Sequence, residues 1–172
     1  MAFDVPTVSV LGVACAAVFF DVRTRRIPNA LTFGAALAAL AYAGVHGGWS
    51  GLGTAAAGWF AGAALFFPFF ALGGMGAGDV KLLAGLGAWL GPVDSLWVAM
   101  FAAMTGGVLG LVVALARGYL STAFSNVWLM LMHWRVAGLS RVPGVTLNDS
   151  KSPRLAYAIP IAIGLVCTLW RH

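Results

Sequence analysis

The side chains of this sequence best suited to chemistry are two aspartates, Asp21 and Asp79. The chain has 172 residues and only five acidic ones, Asp4, Asp21, Asp79, Asp94 and Asp149, with no glutamate. A carboxylate beside hydrocarbon is costly, so an acid in so apolar a chain is a functional candidate by default. Two carboxylates brought close together cannot both ionise comfortably, and they share a proton. The ionised partner can then take a proton from water, while the protonated one polarises a carbonyl and later donates to the leaving amine. That is the chemistry of aspartic peptide hydrolysis, which requires neither metal nor cofactor. Such a pair titrates as a unit, so neither role is assigned to one residue. The competing reading is structural: Asp21 as a helix-end carboxylate held by nearby arginines, and Asp79 as an acid favoured by a helix dipole.

The two acids can cooperate only if the chain brings them to one place. At 61% hydrophobic and 9% charged, the composition is that of a polytopic membrane protein and not of a soluble domain. The net charge of +5 does not indicate nucleic acid, because the basic residues cluster in a few loops. The N-terminus lacks a basic region and carries Asp4, so a secretory signal peptide is not expected. Apolar runs cover about Val5 to Phe20, Ala30 to Val45, Leu52 to Leu72, Val80 to Leu90, Leu96 to Ala116 and Leu155 to Trp170. They predict an all-α, single-domain fold of six transmembrane helices. The fourth run is short: eleven residues reach only about 17 Å, against a hydrocarbon layer of roughly 30 Å. Its glycine-rich lead-in is therefore expected to break the helix and lie at membrane depth, buried in protein or lining a wet cavity. Between Arg117 and Arg154 lies one sizeable loop, in which Leu120 to Trp134 reads as an interfacial helix on membrane lipid.

The loops after runs one, three and five carry Arg23, Arg25, Arg26, Lys81, Arg117, Arg135, Arg141, Lys151 and Arg154, against Arg171 alone on the other side. This asymmetry puts the first set in the cytoplasm and both termini outside. Asp21 and Asp79 then share one membrane face, where the only other acid is the loop residue Asp149.

The lead-in, Gly73-Gly74-Met75-Gly76-Ala77-Gly78, has four glycines in six positions and ends at Asp79. Glycine lets the backbone bend and lets another chain approach, so Gly76 and Gly78 are candidates for flexibility or substrate contact. Lys81 either biases the acid pair or marks the membrane boundary by snorkelling. No Gly-Lys-Ser/Thr follows, so the segment is not a phosphate loop. The repeats Gly58-x-x-x-Gly62, Gly87-x-x-x-Gly91 and Gly106-x-x-x-Gly110 read as helix-packing faces. Cys15 and Cys167 read as small core side chains. His46, His133 and His172 are scattered, so no metal site is expected. Trp49, Trp89, Trp97, Trp134 and Trp170 read as interfacial anchors.

Asp21 with Ile27-Pro28-Asn29, followed by Gly76-Ala77-Gly78-Asp79-Val80-Lys81-Leu82-Leu83, resembles the type IV prepilin peptidase family of GxGD aspartyl intramembrane proteases. The resemblance implies that Asp21 and Asp79 are the catalytic acids. It also implies that the substrate is a prepilin or pilin-like precursor, whose short basic leader is cut at the cytoplasmic face of the inner membrane. Larger members carry paired CxxC zinc motifs in an N-terminal segment and also methylate the new N-terminus. This chain starts at its first apolar run and has two isolated cysteines, so it resembles the short, peptidase-only branch associated with Flp (tight adherence) pili, or the archaeal preflagellin peptidases. No methyl transfer is expected. Two other readings of the residues stay open: a small proton-coupled transporter with the acids as a relay, and a non-enzymatic assembly scaffold.

Overall fold

A computed structural model describes residues 4–138, 140, 142 and 156–171 of the chain. Asp149, Arg141, Lys151, Arg154, Leu155 and His172 lie outside these residues. In apolar surroundings the backbone must satisfy its own hydrogen bonds, and the described residues form helices without a strand among them. In order these are α1 (Val5–Thr24), α2 (Asn29–Ala71), α3 (Ala77–Leu90), α4 (Pro92–Ala116), α5 (Leu120–Ala137) and α6 (Ala158–Trp170). Of these, α1, α2 and α4 are long and apolar enough to cross a membrane.

A straight helix of α2's 43 residues would be about 64 Å long. It is broken at Gly48, where φ 57 and ψ −145 leave the helical region. There the chain folds back, and Gly51 lies against the Ala43 carbonyl with no room for a Cβ. The two limbs, 29–47 and 49–71, correspond to the second and third apolar runs. Each of the six runs therefore falls on its own helical segment.

The short helix α3 is the centre of the bundle. Residues 82–88 are buried on every side, as an all-apolar helix must be. It touches α1, α2, α4 and α6. The second limb of α2 crosses it backbone to backbone: Gly58 faces the Gly87 carbonyl, and Gly62 the Leu83 carbonyl. The first limb meets the other face, where Trp89 Nε1 donates to the Ala35 carbonyl at 3.0 Å. Trp89 thus ties the end of α3 to the first limb of α2. A half-buried indole N–H usually finds such a partner.

Helices α4 and α6 run antiparallel, Gly164 against the Val98 carbonyl and Gly106 against the Tyr157 ring. Gly110 has open space around it, so only the first glycine of that expected packing pair packs. Cys15 and Cys167 are exposed, contrary to their expected core placement. The outer face of such a bundle is itself apolar, so residue type alone does not separate inside from outside. Helix α5 extends three residues past the expected Trp134, touches the rest through α4 alone, and none of its described side chains is buried.

These contacts sort the turns into two ends. One gathers Asp21, Ile27 to Asn29, residues 72–79 and Tyr157. The other gathers Gly48, Gly91, Asp94 and Arg171.

Candidate active site

Asp21 closes the buried stripe of α1. Val10, Ala14, Ala17 and Asp21 are its buried residues, and their spacing of four, three and four puts them on one face. Asp21 is only 7% exposed. Its Oδ2 accepts the Ala158 N–H at 3.2 Å, one of the first-turn amides of α6 that have no partner inside their own helix. One turn further, Arg25 caps α1 in the left-handed conformation (φ 55, ψ 28), and its N–H bonds the Asp21 carbonyl. A side-chain-bearing residue adopts this only at some cost. The chain thereby turns sharply into Ile27-Pro28-Asn29, where Pro28 caps α2.

The glycine-rich lead-in divides into a helix stop and a helix start. Gly73, at φ 81, donates to the Phe70 carbonyl and Gly74 to the Phe69 carbonyl, both at 2.9 Å. This is the double bond of a Schellman motif, with glycine in the left-handed position it requires. Gly76 is then the N-cap of α3, at φ −77 and ψ 146. Any residue can adopt that conformation, so its use is spatial. A Cβ there would stand 3.0 Å from Asp79 Oδ2. Asp79 is the third residue of α3, its N–H donates to the Gly76 carbonyl at 3.2 Å, and an acid in the first turn suits the helix dipole.

The two segments singled out in the sequence interlock. Ile27 packs on Gly78, where a Cβ would come within 3.3 Å of the Ile27 side chain. Asn29 Oδ1 accepts from Lys81 Nζ at 2.9 Å. The Asp21 carboxylate is close enough to act electrostatically on Asp79. Lys81 directs its ammonium to Asn29 and over the Phe33 ring, 5.3 Å from its centroid.

The other acids among the described residues serve elsewhere. Asp4 caps α1 by accepting the Thr7 N–H at 3.1 Å, and Asp94 pairs with Arg171 at the far end at 2.8 Å. Among the described residues no three His, Cys or acidic side chains gather as a metal site would require. Sequence reasoning missed the start of α6. Ala158 contributes a backbone amide, which no residue pattern reveals. Tyr157, 78 positions from Asp79, comes within electrostatic reach of it.

Two carboxyl groups thus lie at one end of the bundle on different helices, that of Asp21 bonded by the Ala158 amide. Such a pair can hold one proton between its members and activate a water molecule. Comparison with curated proteins and with solved structures gives no match. Residues 8–111 match the pattern of the type IV leader peptidase family, and this range takes in both aspartates and both interlocked segments. Since the match covers more than half of the chain, the protein belongs to the type IV leader peptidase family, a family of peptidases.

Proposed function

We propose that this protein is a membrane-embedded aspartic endopeptidase. In this reading it removes the short basic leader from type IV pilin-like precursors at the cytoplasmic face of the inner membrane, with Asp21 and Asp79 as its catalytic acids. The observation that carries the reading is the interlocking of the two motif segments, with both carboxylates within electrostatic reach of each other. The family match supports the peptidase class.

In this reading α1, the two limbs of α2, α3, α4 and α6 are six membrane passes, and α5 lies along the lipid surface. The arginine-rich end, with Asp21 and Asp79, faces the cytoplasm and both termini lie outside. The pair holds one proton between them. The ionised carboxylate takes a proton from water as the water oxygen attacks the scissile carbonyl carbon. The protonated carboxyl donates a hydrogen bond to the carbonyl oxygen. Collapse of the tetrahedral intermediate breaks the C–N bond, the leaving nitrogen takes a proton, and the pair returns to its starting state. With no side chain at Gly76, the Asp79 carboxylate stays uncrowded for an approaching substrate backbone. The proposal covers hydrolysis alone, since Cys15 and Cys167 stand singly on α1 and α6.

The test is cleavage of a purified prepilin by the purified protein in detergent. Asp21→Asn and Asp79→Asn should each lose activity by about a thousandfold or more, as expected when one member of a catalytic unit is removed. Full activity in either variant rejects the pair. A proton relay or an inert scaffold would yield no peptide product at all.

A further inference from the structure

We infer that Tyr157 is a positioning residue for the carboxylate pair, its ring wedging the start of α6 so that the Ala158 N–H stays on Asp21. This rests on the aspartic peptidase reading above and adds to it an element outside the matched range 8–111.

Tyr157 is the N-cap of α6 and packs on two other helices at once. Its ring lies on Gly106 of α4, where a Cβ would be 2.9 Å from the ring. Its edge meets Phe66 of α2 with centroids 5.8 Å apart and planes at 75°, the geometry aromatic pairs prefer. It is also within electrostatic reach of Asp79 on α3. The very next residue supplies the amide that Asp21 accepts at 3.2 Å. That distance is near the long end of the hydrogen-bond range, so a small displacement of the α6 start would break it. A shift of about 1 Å far from the reacting atoms can cost as much as a hundredfold in rate.

The geometry also says which part of Tyr157 matters. Its hydroxyl lies 3.5 Å from the Ala102 carbonyl, too long for a good O–H···O bond. The ring, lodged against a glycine that leaves it room, does the positioning.

The experiment measures kcat and KM for prepilin cleavage in detergent by Tyr157→Phe, Tyr157→Ala, Gly106→Ala and the double variant Tyr157→Ala/Gly106→Ala. Asp21→Asn and Asp79→Asn run in parallel. Tyr157→Ala should lower kcat about tenfold with KM changed by less than about twofold. Tyr157→Phe should keep wild-type kcat. Gly106→Ala should lower kcat by displacing the ring, and it should add nothing once the ring is gone, because coupled sites are non-additive.

Three results would overturn the inference. These are full kcat in a folded Tyr157→Ala, a loss carried by KM alone, and full additivity in the double variant. If Tyr157→Ala does not fold, Gly106→Ala decides, and full kcat there rejects the inference. Normal cleavage by Asp21→Asn or Asp79→Asn would instead bring down the underlying peptidase reading.

Discussion

The two ends of this bundle hold their acids in opposite ways. At the far end Asp94 faces a guanidinium, Arg171, at 2.8 Å, and that guanidinium also lies 4.6 Å above the Trp97 ring. At the near end Asp21 accepts a backbone amide, that of Ala158, and Asp79 stands in the first turn of α3. An acid paired with a cation is neutralised in place and ties two helix ends together. An amide, by contrast, orients a carboxyl group without cancelling its charge. The difference separates a clasp from a candidate reaction centre, although both ends use the same residue type.

The sharpest way to break this comparison is to remove one carboxylate from each end. Asp21→Asn or Asp79→Asn should abolish prepilin cleavage, whereas Asp94→Asn should leave kcat within about twofold of wild type. Equal losses at both ends would dissolve the distinction. The next largest effect concerns the frame shared by the two ends. Gly62→Ala puts a methyl group 2.5 Å from the Leu83 carbonyl and 2.9 Å from Ala84 Cα. It should lower stability by about 1–3 kcal/mol through overpacking, read as a lower unfolding midpoint in detergent.

Gly76→Ala should do the reverse. Its Cβ meets the Asp79 carboxylate and no backbone from another element, so cleavage should fall about fivefold, roughly 1 kcal/mol, at an unchanged unfolding midpoint. A stability loss instead would make Gly76 part of the frame. The smallest effect is at the clasp. Asp94→Asn should cost no more than about 1 kcal/mol of stability, the usual range for a partly exposed ion pair.

Much of the frame was legible because a chain this apolar announces its helices by where the apolar runs stop. His46-Gly47-Gly48, the glycines at 73–74 and Gly91-Pro92 ended helices near where they were expected to. The near-end acids were legible for a related reason, since a carboxylate has few structural uses among so many apolar side chains. What was not legible has physical causes. The runs predicted α3 from Val80 and α4 from Leu96, but the helices begin at Ala77 and Pro92. A helix's first turn can carry glycine, aspartate and proline, which run-counting excludes. Four glycines in six positions suggested looseness. In the folded chain Gly73 and Gly74 close one helix, and Gly76 sits where a Cβ would crowd the Asp79 carboxylate. Cys15 and Gly110 were misplaced because inward and outward faces of this bundle are equally apolar. The Ala158 amide was beyond reach, since every residue but proline carries one.

The bond between Asp21 and Ala158 spans 137 positions of the chain, and it has a consequence for synthesis. A ribosome makes Asp21 first, Asp79 next, and Ala158 last of the three. Until α6 has docked, Asp21 lacks the amide that orients its carboxylate. A nascent copy would then carry both acids before that bond can form, so their arrangement is finished only after the start of α6 has been made.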